Sequence, residues 1–328
     1  MTLRIALTGA TGFVGRVVVA GLIAGGYTVR ALVRNPSAAA LPADIEMITG
    51  DLADKQALAA LSKNADVVLH IAGAIKGLTR QDFFNANLEG TKNVFAAAQA
   101  ASVKRLVYVS SLAARLPGIS SYAASKLAAE EFLLQQQTSM SILILRPAAV
   151  YGEGDVATLP LLKALMSRFG ILPGRVGSIF SLIHLDDLAA ICVDGVSCAA
   201  TGVHEIDDGH GGYLWGDLTA ITQQAFDRPT YHVHLPKFIA MGLGHGCDLI
   251  AAMIGKPLPI SADKMREIYH DKWIVEAPDW PRTCPVNLAQ GLVRTIGWYQ
   301  ARGMLPAVKP TGRAHGAIIM KDSDDYRN

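Results

Sequence analysis

Seven residues close to the start of the chain narrow the possible folds sharply. Gly9-Ala10-Thr11-Gly12-Phe13-Val14-Gly15 follows a short apolar run, Arg4 to Leu7, and opens a segment of helical spacing, Val14 to Ala24, which Gly25-Gly26 closes. Glycines allow a strand to turn tightly into a helix, and they let that helix pack close and the backbone approach a pyrophosphate. The helix start presents unpaired N–H groups and the positive end of its dipole. A glycine-rich string alone is weak evidence. Set between a first strand and a first helix, it predicts a dinucleotide site contacted by Gly9, Thr11, Gly12, Phe13 and Val14.

The pattern that follows agrees. Strand-like runs at Thr28 to Val33, Ile45 to Ile48, Val67 to Ile71, Leu106 to Val109 and Ile142 to Leu145 alternate with helical segments at Lys55 to Leu61, Leu88 to Ala101 and Tyr122 to Gln136. Parallel strands need long crossovers, so this alternation predicts an α/β fold with a doubly wound parallel sheet. A smaller, mostly helical C-terminal substrate domain is expected after it. The boundaries read as 1–155 for the dinucleotide-binding domain, with residues of about 180–200 returning to it, 156–306 for the substrate region, and 307–328 for a polar tail.

Composition limits the partners. With 51% hydrophobic and 18% charged residues and a mean hydropathy of +0.28, the chain falls below the roughly 25% charge usual for soluble domains. Disorder is therefore excluded, and an apolar surface is expected somewhere. Thirty basic against 28 acidic residues supply no broad field for nucleic acid, so none is expected as a partner. The four cysteines, Cys192, Cys198, Cys247 and Cys284, have neither paired metal-ligand spacing nor the density of a disulfide scaffold, which points to a reducing cytoplasm. His232 and His234 share a strand face without a third ligand, so no metal is expected. The first fifteen residues lack the pattern of a secretory signal.

The chemistry is expected at the carboxyl edge of the sheet, where ligands of open α/β sheets sit. The second strand ends in Val33-Arg34-Asn35. A carboxylate there would accept from the 2′-hydroxyl of NAD, whereas Arg34 suits a 2′-phosphate, so NADP(H) is favoured over NAD(H). Tyr122 and Lys126 stand one helical turn apart on one face, and an ammonium beside a phenol favours the phenolate. Ser110 and Ser111 end the preceding strand, where a hydroxyl can polarise a carbonyl.

Together these segments resemble the extended, epimerase-like branch of the short-chain dehydrogenase/reductase superfamily, whose dinucleotide domain is a Rossmann fold. The resemblance runs from Thr8 to about Leu305. It is carried by Thr8 to Gly15, Asp51-Leu52, His70 to Ala74, Asn87 to Asn93, Val109-Ser110-Ser111, Tyr122 to Lys126, Arg146 to Gly152 and His184 to Ala189. It implies Tyr122 as general acid/base, Lys126 as its tuner and a nicotinamide-ribose ligand, Ser111 as stabiliser of the substrate oxygen, and Asn87 as support for the relay. Further cofactor contacts are implied for Asp51 and Leu52 at the adenine, Ala72, Gly73 and Ala74 at the pyrophosphate or ribose, Ser110, and Pro147 and Val150 on the nicotinamide side.

Sugar-nucleotide members of the branch place an arginine where alignment puts Phe180, and an aromatic ring cannot neutralise a diphosphate. Arg168, Arg175 and Arg228 are the candidates to compensate. Pro259 to Met265 and Gln290 to Tyr299 resemble endings in 3β-hydroxysteroid dehydrogenase-like and dihydroflavonol-reductase-like members. Pro236 to Pro259 is nearly uncharged, and reads either as core of the substrate region or as an apolar pocket open towards a membrane surface. The expected function is an NAD(P)-dependent oxidoreductase acting on a ketone or secondary alcohol of a hydrophobic substrate. Sphingolipid-, sterol- and hopanoid-like molecules fit, with a ceramide-type keto-lipid reductase as the specific form. The alternatives are a nucleotide-sugar epimerase/dehydratase and a non-catalytic NADPH-binding protein. A cytoplasmic enzyme is expected, with peripheral membrane contact and a homodimer through residues 88–101 and 122–136 left open.

Overall fold

The computed structural model describes residues 2–227, 229–276, 280 and 284–307; Arg228 and the tail from 308 lie outside these. The chain starts on β1 (Arg4–Thr8), turns into α1 (Phe13–Ala24) and continues through β2 (Thr28–Val33), β3 (Glu46–Thr49), α2 (Lys55–Ser62) and β4 (Val67–His70). Next, α3 (Arg80–Phe84) runs through one π-helical turn, Asn85–Glu89, into α4 (Gly90–Ala100), followed by β5 (Arg105–Val109), α5 (Ser121–Leu134) and β6 (Ser141–Pro147). The chain then passes through β7 (Ala149–Tyr151), α6 (Leu159–Met166), β8 (Phe169–Leu172), β9 (Ile179–Phe180), β10 (Leu182–His184), α7 (Leu185–Gly195) and β11 (Gly202–Ile206). Last come β12 (Tyr213–Leu214), α8 (Trp215–Phe226), β13 (Tyr231–His234), α9 (Lys237–Ile254), α10 (Ala262–Ile268), β14 (Lys272–Trp273) and α11 (Leu288–Ala301).

Seven parallel strands form the main sheet in the order β11-β6-β5-β4-β1-β2-β3. Strand alternation assigns its two faces. Ile5 and Leu7 of β1 pack with Val18 and Leu22 of α1 and Leu188 and Cys192 of α7. Ala6, between them, joins Leu58 and Leu61 of α2, Val94 and Phe95 of α4 and Ala129 and Leu133 of α5 on the other face. The fold is thus doubly wound, as the alternation predicts. The strand order reverses between β1 and β4, and the crevice at their carboxyl ends is where such sheets bind ligands.

β11 was not predicted. Gly202-Val203-His204-Glu205-Ile206 has a polar pair at its centre and only Ile206 buried, as an edge strand allows. The smaller C-terminal region builds its own core from α6, α8 and α11, with Leu165, Leu218, Ile296 and Tyr299 at its centre.

The largest departure from expectation is α9. It is one continuous helix, and within it only Ala240, Gly244 and Ala251 are buried. Its Leu, Ile, Met and Phe side chains are largely exposed, so the reading of Pro236 to Pro259 as core fails.

Candidate active site

The glycine turn is built as its composition requires. Gly9 adopts φ +84°, and a Cβ there would lie 2.7 Å from Ala72 N. A Cβ on Gly15 would fall 1.9 Å from Gly9 O, so the third glycine is what lets α1 close onto the turn. Gly12 N donates to Gly9 O at 3.0 Å, and Gly12 as N-cap offers α1 no side-chain cap. The first N–H groups of α1 therefore have no side chain competing with an anion.

A buried histidine ties this turn to the rest of the site. His70, at the end of β4, bridges the Thr8 hydroxyl at 2.7 Å and the Thr91 hydroxyl at 3.0 Å. Thr91 in turn donates to Asn87 O at 2.6 Å. Burial pulls the His70 imidazole down to about 3, with the Lys126 charge adding to the effect, so the ring is neutral at physiological pH.

Asn87 lies in the π turn, a form often found at functional sites. Its side chain accepts from Ala74 N at 2.7 Å and donates to Ala74 O at 3.0 Å and to Ser125 Oγ at 2.8 Å. Ser125 Oγ donates to Tyr122 O at 2.7 Å. Asn87 thus clamps the 72–74 loop to α5, and a Cβ on Gly73 would strike its Oδ1 at 2.8 Å.

On α5, Tyr122 and Lys126 point to this same region. Lys126 is buried; its Nζ donates to Val109 O at 2.8 Å and lies 4.3 Å from the Tyr108 ring centroid. Burial lowers its ammonium to about 7, while Glu130 acts in the opposite direction. The expected lowering of the Tyr122 phenol by Lys126 is not met in this state. Burial raises the phenol to about 12, a hydrogen bond from Ser111 works against that rise, and the Glu267 and Glu130 carboxylates reinforce it. Ser111 also accepts from Ala113 N at 3.2 Å, which fixes the hydroxyl at the end of β5. The structure therefore brings together Ser111, Tyr122, Lys126, Asn87 and Gly73.

Ser110 is placed differently from its neighbour. Its buried hydroxyl donates to Glu130, which the sequence reading overlooked. Arg146 Nε lies 3.0 Å from both Glu130 oxygens, and its Nη1 reaches Glu205 at 3.3 Å. Spacing held the clue: Glu130 follows Lys126 by four residues and Tyr122 by eight, so it shares their helical face.

Arg34 is exposed just beyond β2. Asp51 accepts from Ala53 N at 2.8 Å and Asp54 N at 3.1 Å, shaping the turn after β3. Leu52 O accepts from Asn93 Nδ2 at 2.9 Å. Pro147 is buried at the end of β6, and Val150 is half-buried on β7. Thr11 is exposed, and Phe13 and Val14 are half-buried in the first turn of α1. Phe180 packs on Trp215 with ring centroids 4.8 Å apart. Arg175 pairs with Asp271 at 2.9 Å, and Arg168 lies over the Phe169 ring. His232 and His234 each bond a backbone carbonyl, at 3.1 Å.

Residues 5–194 match the model of the NAD dependent epimerase/dehydratase family. The chain belongs to that family. It is similar to the ceramide reductase of Caulobacter vibrioides, at 35% identity over 92% of this chain and 96% of that one. It is also similar to the 3 beta-hydroxysteroid dehydrogenase/Delta 5-->4-isomerase of Mycobacterium tuberculosis, at 28% identity over 69% and 68%. Among solved structures, the UDP-glucose 4-epimerase of Thermotoga maritima superposes with a TM-score of 0.71 at 17% identity, covering 92% of this chain and 99% of that one. The fold is therefore that of an extended short-chain dehydrogenase/reductase, and the relatives are oxidoreductases and epimerases, with lipid-like substrates prominent in their names.

Proposed function

We propose that this protein is an NADP(H)-dependent reductase of a ketone on a lipid-like substrate, of the ceramide-reductase kind, with Ser111, Tyr122 and Lys126 as its catalytic residues and Asn87 as the residue that positions them. The observation that carries the reading is the convergence of these side chains at the sheet's switch point, in a chain 35% identical along nearly its whole length to a ceramide reductase.

The residues present fit a nicotinamide dinucleotide. The uncapped start of α1 and the tight glycine turn that leads into it suit the pyrophosphate. Gly9, Thr11, Gly12, Phe13 and Val14 would hold it, with Asp51 and Leu52 at the adenine, Arg34 at a 2′-phosphate, and Ala72, Gly73, Ala74, Lys126, Pro147 and Val150 along the nicotinamide half. When bound, the cofactor supplies the hydride.

The chain's own groups handle the proton. The Tyr122 phenol, kept protonated by burial, donates to the carbonyl oxygen of the substrate. Ser111, beside Tyr122 at the end of β5, turns its hydroxyl to the substrate oxygen and stabilises its growing charge. Lys126 carries a charge within reach of physiological control and holds the site's electrostatics as the phenolate forms. Run backwards, the same groups oxidise a secondary alcohol. The aromatic packing of Phe180 against Trp215 leaves no cation at the position expected for a diphosphate reader, which favours the lipid reading over a sugar nucleotide.

Purified protein with NADPH, offered a long-chain keto-lipid and UDP-glucose in parallel, tests the substrate class. Consumption of NADPH with the keto-lipid is expected; epimerisation of UDP-glucose with no keto-lipid reduction would overturn the reading.

A further inference from the structure

Two exposed apolar surfaces meet beside a cavity whose lining includes none of the proposed catalytic residues. The first is α9: Phe238, Leu243, Leu249, Ile250, Met253 and Ile254 are each at least half exposed, Phe238 at 77%. Eighteen residues with a mean hydropathy of 1.3 are long and apolar enough to cross a membrane. Yet the opposite face is held by the protein. Gly244 lies so close to Ala262 that a Cβ would come within 2.8 Å of it, and Asp248, the helix's one acid, accepts from Ala262 N at 3.0 Å. A helix fastened along its length to α10 lies flat on a membrane and does not span it.

The second surface is the outer face of the β8–β13 pair. Phe169 opposes Tyr231 and Ile171 opposes Val233, and all four are more than 60% exposed. His232 and His234 alternate to the inner side, as strand geometry requires. β13 leads through Leu235-Pro236 directly into α9.

At this junction is a cavity of about 420 Å³ lined by Arg175, Lys237, His234, Val176, Pro236 and Tyr269 among others; no acidic residue lines it, though Asp271 pairs with Arg175 at 2.9 Å. Val176 on its rim is 69% exposed. Lys237 and Lys256 stand exposed at the two ends of the apolar helix. We infer that α9 and the β8–β13 face insert into the surface of an anionic lipid bilayer, with the cavity at Arg175 and Lys237 receiving a phospholipid headgroup. Apolar side chains enter the acyl boundary while cations at its edge meet phosphate, the two requirements of an interfacial helix.

Flotation of the full chain with phosphatidylcholine vesicles, with and without phosphatidylglycerol, tests this without any substrate. The protein should float with the phosphatidylglycerol vesicles. Leu249→Glu with Met253→Glu should reduce partitioning by roughly tenfold or more, and Arg175→Glu with Lys237→Glu should remove the preference for phosphatidylglycerol. Because these side chains are exposed, melting and turnover of a short, water-soluble ketone should stay unchanged. Wild-type protein that stays with the buffer would overturn the inference, as would a glutamate variant that floats like wild type. So would a wild-type dimer that the glutamate pair splits into monomers, since the face would then belong to a second copy. Failure of ketone turnover with flotation intact would count against the reductase reading alone.

Discussion

Single residues in this site act through burial as much as through reach. His70 has two hydroxyl partners and no access to water, so its neutral form is part of the folded state. Its pKa is about 3 when folded, against 6.5 unfolded. Between these values the unfolded chain binds a proton that the folded chain does not, so this contribution is fully present above pH 6.5 and is lost as pH falls towards 3. Relative to a His70→Gln variant, wild-type stability should fall by about 1.4 kcal/mol for each pH unit across that window. Urea melts at several pH values read the difference, and parallel pH profiles would contradict it. Arg34 carries a second prediction. Wild-type protein should bind NADPH more tightly than NADH, and Arg34→Ala should lose roughly ten- to a hundredfold of NADPH affinity, the worth of a charged hydrogen bond. Tighter NADH binding by the wild type would refute the assignment. Tyr122 and Lys126 stood out by their one-turn spacing and Ser111 by its place at a strand end, whereas Asn87 came with the family resemblance alone. Glu130 shares the helical face of Tyr122 and Lys126 by spacing, but its pairing with Arg146 joins α5 to β6, and no local pattern announces that pairing.

At the scale of elements, the glycine turn is where sequence and structure correspond most directly. Gly15→Ala would force its Cβ into Gly9 O, and overpacking of this kind costs about 1–3 kcal/mol. A lower melting temperature together with weaker cofactor binding is the expected outcome, and a variant matching wild type in both would show that the turn relaxes freely. Six strands of the main sheet stood out as apolar runs, five of them because buried parallel strands are hydrophobic on both faces, while the sixth, β3, is an exposed edge. β11 escaped notice because an edge strand tolerates His204 and Glu205 at its centre. The entry to α7 carries a side-chain cap. The cap is His184, whose Nδ1 accepts from Asp186 N at 3.2 Å, while Asp186 and Asp187 occupy the first turn and suit its dipole. Trp273, Trp280 and Trp298 pack in three separate places.

Across the whole molecule, the strand order places the glycine turn after β1 and the 71–74 loop after β4 on either side of one crevice, and α5 brings the phenol and ammonium to it. Alternating strands and helices show that such a crevice exists; its position depends on the order in which strands pair, which is a long-range property. The charge-poor composition likewise announced an apolar surface without locating it. Core burial explains most of that composition, and the exposed face of α9 explains much of what remains. The central claim is that Tyr122 transfers a proton to a carbonyl on a lipid-like substrate. It is tested most directly by keto-lipid-dependent NADPH oxidation in the wild type and in Tyr122→Phe, with NADPH binding measured on both. The account predicts steady turnover by the wild type, and for the variant a loss of roughly 10²- to 10⁴-fold with cofactor affinity retained. A Tyr122→Phe protein that reduces the keto-lipid at the wild-type rate would contradict it.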